Sequence, residues 1–151
     1  MLIYTDGGCS GNPGPGGWAY VIVSDSSEQI ISENFGAEKI TTNNRMELLA
    51  VISSLEALKS ADTIGDIKVF TDSQYVQKGI TVWINDWKKR GWKTAGKEPV
   101  KNRDLWQRLD SLSDGLRISW NWVKGHSGNV YNERCDSLTQ KAINSVNSSL
   151  T

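Results

Sequence analysis

MLIYTDGGCSGNPGPGGW, residues 1–18, decides how the fold is read. Leu2, Ile3 and Tyr4 have the apolar character of a buried strand, yet Asp6 follows at once, and six glycines fall between Gly7 and Gly17. A phosphate-cradling loop is the familiar explanation of such a run, and here it fails. The spacing is neither GxxxxGK(S/T) nor GxGxxG, Pro13 and Pro15 interrupt it, and the alternating WAYVIV at 18–23 predicts a strand, so no helix N-terminus is available for a phosphate. The glycines instead let the backbone turn tightly and approach a ligand closely, with Asp6 expected to end the first strand.

Outward from this stretch, WAYVIV and QIISENFG at 29–36, separated by the polar SDSSE, complete a three-stranded antiparallel meander with Leu2 to Asp6. Met46, Leu48, Leu49, Val51, Ile52, Leu55 and Leu58 recur at helical spacing and predict a helix from about Asn44 to Lys59. IKVFTD at 67–72 is then a strand, and the intervening helix makes it a parallel neighbour of the first. SQYVQKGI and VWINDWKKRGW read as two short helices, Pro99 as the opening of a third, ISWNWVKG at 118–125 as a last strand, and Val130 to Val146 as a final helix. The order predicts an α/β protein of mixed class: one domain over 1–151, helices on the faces of a mixed sheet, and a polar tail at 144–151 expected to fray.

At 151 residues and 38% hydrophobic content the chain can bury one core. No apolar run is long enough to span a membrane and no secretory signal opens the chain, so a cytoplasmic location is expected. Cys9 and Cys135 lack metal-cluster spacing and read as two buried or half-buried thiols. Basic and acidic residues balance at 17 each, but unevenly. Residues 1–38 hold five acids and no base, whereas Lys88 to Arg103 hold seven bases and one acid, Glu98. The zero net charge conceals a basic patch.

Two strands end alike, YTDG at 4–7 and FTDS at 70–73. If they are adjacent and parallel, Asp6 and Asp72 sit side by side at the carboxyl edge of the sheet, where ligands bind in such folds. Glu47, in the first turn of the preceding helix, and Asp136, in the second turn of the last, could join them. Taken singly, Asp6 and Asp72 fit helix caps, Glu47 a capping box and Asp136 a solvated helix face. Taken together, adjacent carboxylates repel and require a cation, and an all-oxygen set favours Mg²⁺ or Mn²⁺. Carboxylates holding two such ions ~4 Å apart suit in-line displacement at phosphorus. Trp83, Trp87 and Trp92 interleave with the basic segment as a nucleic-acid binder does; Trp83 and Trp87, four apart, fit a buried helix face equally well. His126, the one histidine, lies in VKGHSGN between glycines, where a proton-transfer role is open to it beside plain packing.

Jointly, TDGGCSGNPGPGGW, TTNNRMELLA, FTDSQYV, WKKRGWK, PVKNRDLW, WVKGHSGN and NERCD closely resemble bacterial ribonuclease H of type I, from Leu2 to about Asn144. The resemblance implies a mixed five-stranded sheet with flanking helices and an endonuclease that cuts the RNA strand of RNA/DNA hybrids, leaving 3′-hydroxyl and 5′-phosphate ends. It implies roles in removing primers and R-loops, and action as a monomer. It assigns Asp6, Glu47, Asp72 and Asp136 to two Mg²⁺ ions, with Asp6 bridging them, and gives His126 proton transfer or product release. Cys9, Gly11, Asn12, Asn43, Asn44 and Gln74 match positions near the hybrid's minor groove, where hydroxyl recognition separates RNA from DNA. Trp83 and Trp87 match the DNA-strand channel, Thr42 its phosphate pocket, and Lys88, Lys89, Arg90 and Lys93 the basic protrusion.

Departures from the resemblance are local. WINDW stands where relatives typically read WIHNW, so Asp86 sets a carboxylate where an asparagine helps hold a DNA phosphate, and weaker hybrid binding is expected. The histidine loop differs at Asn129, Val130 and Tyr131, which bears on turnover. Thr139 replaces a usual alanine, at a cost of roughly 1 kcal/mol or more if its hydroxyl is buried unpaired. Rival readings are another metal nuclease of this fold, such as an exonuclease or transposase-like domain, and a non-catalytic hybrid-binding module. The minor-groove asparagines and the basic tryptophan segment oppose the first, and the full set of acids the second.

Overall fold

The computed structural model describes residues 1–61, 65–124 and 128–150, the last three by backbone alone. Strands β1 (Leu2–Cys9), β2 (Gly14–Val23), β3 (Ile30–Thr41), β4 (Asp66–Thr71) and β5 (Arg117–Trp122) form one mixed sheet in the order β3-β2-β1-β4-β5. The first three pair antiparallel and the last two join in parallel, so β1 is the seam between the two halves. Period-two alternation explains why both faces are covered. Ile3, Tyr20 and Ile22 face helix α1 (Asn43–Ser60) and α4 (Arg103–Ser113), while Tyr4, Ala19, Val21 and Val23 face α5 (Val130–Leu150). Each aliphatic side chain so buried contributes ~1.5–3 kcal/mol before the entropy of ordering is set against it.

Several boundaries depart from expectation for identifiable reasons. Asp6 does not end β1. The strand continues to Cys9 against Gly16 of β2, and only its parallel ladder to β4 stops early, at Tyr4↔Phe70. Glycines show no alternation of side chains, so this extension leaves no pattern to read. Pro99 does not open a helix: it bridges Lys93 across a small hairpin, and α4 starts at Arg103, behind Asn102 in the left-handed region at φ 59°. The two expected short helices are one run, in which α2 (Gln74–Lys78) and α3 (Ile84–Lys89) are joined by a π-helical turn over Gly79–Trp83. Gly79, at the start of that turn, packs against the fully buried Trp106, whose ring would lie 2.1 Å from a Cβ at this position. The final helix runs to Leu150, beyond the expected end at Val146.

Caps account for the helix starts that frame the site. Thr42 accepts from the Arg45 N–H at 3.3 Å and begins α1; Ser73 accepts from Val76 N–H at 3.1 Å and begins α2. The capping positions are therefore filled without Asp72 or Glu47. Glu47 lies past the first turn, its fifth residue, and is no capping-box acid.

Candidate metal centre and nucleic-acid interface

The register Tyr4↔Phe70 places Asp6 and Asp72 equally far beyond the last parallel pair, Asp6 within β1 and Asp72 just past the end of β4. Glu47 arrives from α1 because Gly7 lets the helix touch the strand. A Cβ on Gly7 would lie 2.5 Å from the Met46 carbonyl carbon and 2.6 Å from the Glu47 nitrogen, so no other residue permits this approach. Carboxylate oxygens of Asp6, Glu47 and Asp72 consequently lie within 4.8 Å of one another. Asp136, from α5, lines the same small pocket as Asp6 and Asp72.

The electrostatics are those of anions gathered without a counter-charge. Burial, then the charges of Asp72 and Asp136, lift the Asp6 carboxyl from an ordinary 3.8 to about 7. Burial, then Asp72 and Asp6, hold Glu47 well above the usual carboxylate range. The Gly7 backbone opposes both shifts, incompletely. Glu47 Oε2 is buried with no hydrogen-bond partner among the described residues, a costly arrangement unless something else satisfies it. Four carboxylates, one with an orphaned buried oxygen and all of hard oxygen character, fit a divalent cation of the Mg²⁺ type.

Other expected residues divide into those brought together and those not. Asn43 Oδ1 accepts from the Cys9 N–H at 2.9 Å and Asn12 Oδ1 from the Asn43 N–H at 3.2 Å, which ties the glycine turn to the start of α1. Gly11, at φ 82°, makes the turn that carries Asn12. Asn44 is exposed in the first turn of α1, and Gln74 is exposed at the start of α2, two residues beyond Asp72. Trp83 and Trp87 are half-buried, in a chain of rings running Tyr75, Trp83, Trp87, Trp106 at centroid separations of 5.9, 6.0 and 5.3 Å. Both are thus part of the packing as well as the surface. Lys89, Arg90 and Lys93 are exposed, whereas Lys88 is committed to Asp110 at 2.8 Å. His126 lies outside the described residues.

Sequence reasoning passed over three neighbours of the acids. Glu133 and Asn132 line the pocket too, Glu133 three residues before Asp136 and hence on the same helix face, a signal present in NERCD. Trp122 donates its indole N–H to the Asp72 carbonyl at 2.9 Å, a bond across fifty residues with no local signature. Thr139, 1% exposed, is not unpaired. Its hydroxyl donates to the Cys135 carbonyl at 3.0 Å and lies within reach of Asp6, its single proton serving one of them at a time. Cys135 itself is buried, which pushes its thiol up and keeps it inert.

A family model described as RNase H matches residues 1–144. A ribonuclease H of Treponema denticola is 59% identical, over 93% of this chain and 94% of the relative, and one of Cupriavidus necator is 56% identical over 97% of each. Among solved structures, LC9-RNase H1, described as a type 1 RNase H with the type 2 active-site motif, superposes with a TM-score of 0.83 at 33% identity, covering 95% of this chain and 72% of that one. The fold is shared as well by LC11-RNase H1, solved in complex with an RNA/DNA hybrid, at a TM-score of 0.75, 24% identity and 99% of both chains.

Proposed function

The chain belongs to the ribonuclease H family, and from that premise we propose that it hydrolyses the RNA strand of RNA/DNA hybrids at a two-ion centre held by Asp6, Glu47, Asp72 and Asp136. The observation that carries the reading is the meeting of three carboxylates within 4.8 Å, one with a buried oxygen that no described protein group satisfies. Mg²⁺, or Mn²⁺, bound there would polarise the attacking water and neutralise charge on the leaving oxygen. The residues do the rest. Asp6, close enough to Asp72 and Asp136 to feel both charges, would hold both ions, and the Gly7 backbone would steady its carboxylate, helped by the Thr139 hydroxyl when that is turned from the Cys135 carbonyl. Water adds to phosphorus as the bond to the 3′ oxygen breaks, leaving 3′-hydroxyl and 5′-phosphate ends; His126 serves proton transfer or product release.

Selection of the RNA strand would fall to the joined group Cys9, Gly11, Asn12 and Asn43, with Asn44 and Gln74 beside it, reading 2′-hydroxyls across the minor groove. Thr42, Trp83 and Trp87 would hold the DNA strand, and Lys89, Arg90 and Lys93 its phosphates. Lys88, already paired, contributes less. The proposal extends to a cytoplasmic monomer, one domain over 1–151, that removes primers and R-loops. Among the described residues no helix is long and apolar enough to cross a membrane.

A hybrid labelled separately on its RNA and DNA strands tests the reading. Wild type with Mg²⁺ should cut RNA alone, and chelator or Asp6→Asn should stop it. Cut DNA, or a folded wild type that cuts nothing, refutes it.

A further inference from the structure

On the sheet face that carries Asp6, the rings of Tyr4 and Phe70 meet that of Tyr131 from α5. Tyr4 stacks on Phe70 with centroids 5.0 Å apart and planes 16° apart, and Tyr131 tilts against Tyr4 at 5.3 Å. Each ring belongs to an element that bears an acid of the site or leads directly into one. Tyr4 stands two before Asp6 on β1, so alternation puts that ring and carboxylate on one side, and Phe70 of β4 stands two before Asp72, which follows directly on the strand's end. Tyr131 stands five before Asp136 on α5.

Tyr131 is also held from outside. Its hydroxyl donates to the Glu28 carbonyl in the β2–β3 turn, and its backbone N–H, with that of Asn132, is capped by Asn129 Oδ1 at 2.8 and 3.2 Å. One turn further along α5, Arg134 donates two hydrogen bonds to Glu33 of β3, at 3.0 and 2.7 Å. The Arg134 fork restrains the helix towards β3. Only Tyr131 reaches both the acid-bearing strand β1 and the outer hairpin from the first turn of α5 among the described residues. Cation sites depend on how their carboxylates are held, because ligands displaced by a fraction of an ångström bind an ion poorly.

We propose that Tyr131 is a positioning residue for the cation centre: its ring on Tyr4 and its hydroxyl on Glu28 set how far the Asp136 carboxylate stands from Asp6 and Asp72. The inference rests on the metal reading above and adds a residue to it that touches neither ion nor hybrid. Loss of the hydroxyl leaves the stack intact but frees it to slide; loss of the ring removes the spacer between α5 and β1.

Calorimetric titration of Mg²⁺ into substrate-free protein measures the effect directly, with hybrid KM at saturating Mg²⁺ as the second readout. Tyr131→Phe should bind Mg²⁺ about threefold more weakly, the scale of part of one neutral hydrogen bond. Tyr131→Leu should bind it about tenfold more weakly, as when an outer-shell partner of a metal ligand is removed. Hybrid KM should hold in both. Leu112→Ala, which loosens the core on the far face, should lower thermal stability and leave Mg²⁺ affinity intact. Wild-type affinity in Tyr131→Phe overturns the proposal, as does an equal loss in Leu112→Ala. A wild type that binds no Mg²⁺ defeats the metal reading itself, a distinct outcome.

Discussion

Asp6→Asn keeps the shape of the acid and deletes its charge, which turns the electrostatic cost of gathering these carboxylates into a measurable stability. The folded carboxyl sits at about 7 against an ordinary 3.8, raised by burial first and by Asp72 and Asp136 next. Below about pH 4 folded and unfolded chains both carry the proton, and the group is neutral to stability. Between there and about pH 7 the unfolded chain has released its proton and the folded one has not, so every rise in pH favours unfolding. Above pH 7 the full cost stands: at about 1.4 kcal/mol per pH unit the ceiling is ~4 kcal/mol. Solvent reaches part of Asp6 and screens it, which brings the expected value to ~2 kcal/mol. Urea denaturation in chelator should therefore find Asp6→Asn more stable than wild type by that amount at pH 8, and equal to it at pH 4. Saturating Mg²⁺ should reverse the order, since at a hundredfold excess over Kd a bound ligand contributes ~2.7 kcal/mol to the protein that holds it. A variant no more stable than wild type at pH 8, or stabilised equally at both pH values, would show that the acids do not repel as described.

Gly7→Ala should cost ~2–3 kcal/mol in urea denaturation and cut activity further than stability, because relief of the 2.5 Å approach moves Glu47 away from Asp6; unchanged stability would contradict the close packing. Asp86→Asn removes an exposed anion next to Trp87 and should lower the KM for hybrid several-fold if that face holds the DNA strand as proposed; an unaltered KM counts against that role. Lys89→Ala with Arg90→Ala and Lys93→Ala should flatten the salt dependence of hybrid binding by roughly 0.7–0.9 for each phosphate no longer neutralised, without changing strand choice; an unchanged slope removes these side chains from the interface.

Much of this architecture is legible in the residues because two periodicities report it. Alternation in WAYVIV marks a strand covered on both faces, and the matched YTDG and FTDS endings anticipate the register that sets Asp6 beside Asp72. What escapes notice depends on partners distant in sequence. Nothing local announces that Gly79 must yield to Trp106, that Asn102 rather than Pro99 precedes α4, or that Lys88 spends its charge on Asp110. Thr139 shows the same limit in energetic form: its polarity is visible, but the carbonyl that accepts its proton is known only once the helix is built.

Trp122 provides the site with an optical reporter. It is one of seven tryptophans, 45% exposed at the free edge of β5, and its indole N–H ends on the main-chain carbonyl of Asp72. Indole emission follows the electric field along the ring. A cation held by the Asp72 carboxylate would change that field at an indole hydrogen-bonded to the same residue's main chain, while Trp106, in the deep core, lies away from solvent. Emission of wild type less that of Trp122→Phe, followed as Mg²⁺ is added, would thus let occupancy of the centre be watched without a label and without any hybrid being cut.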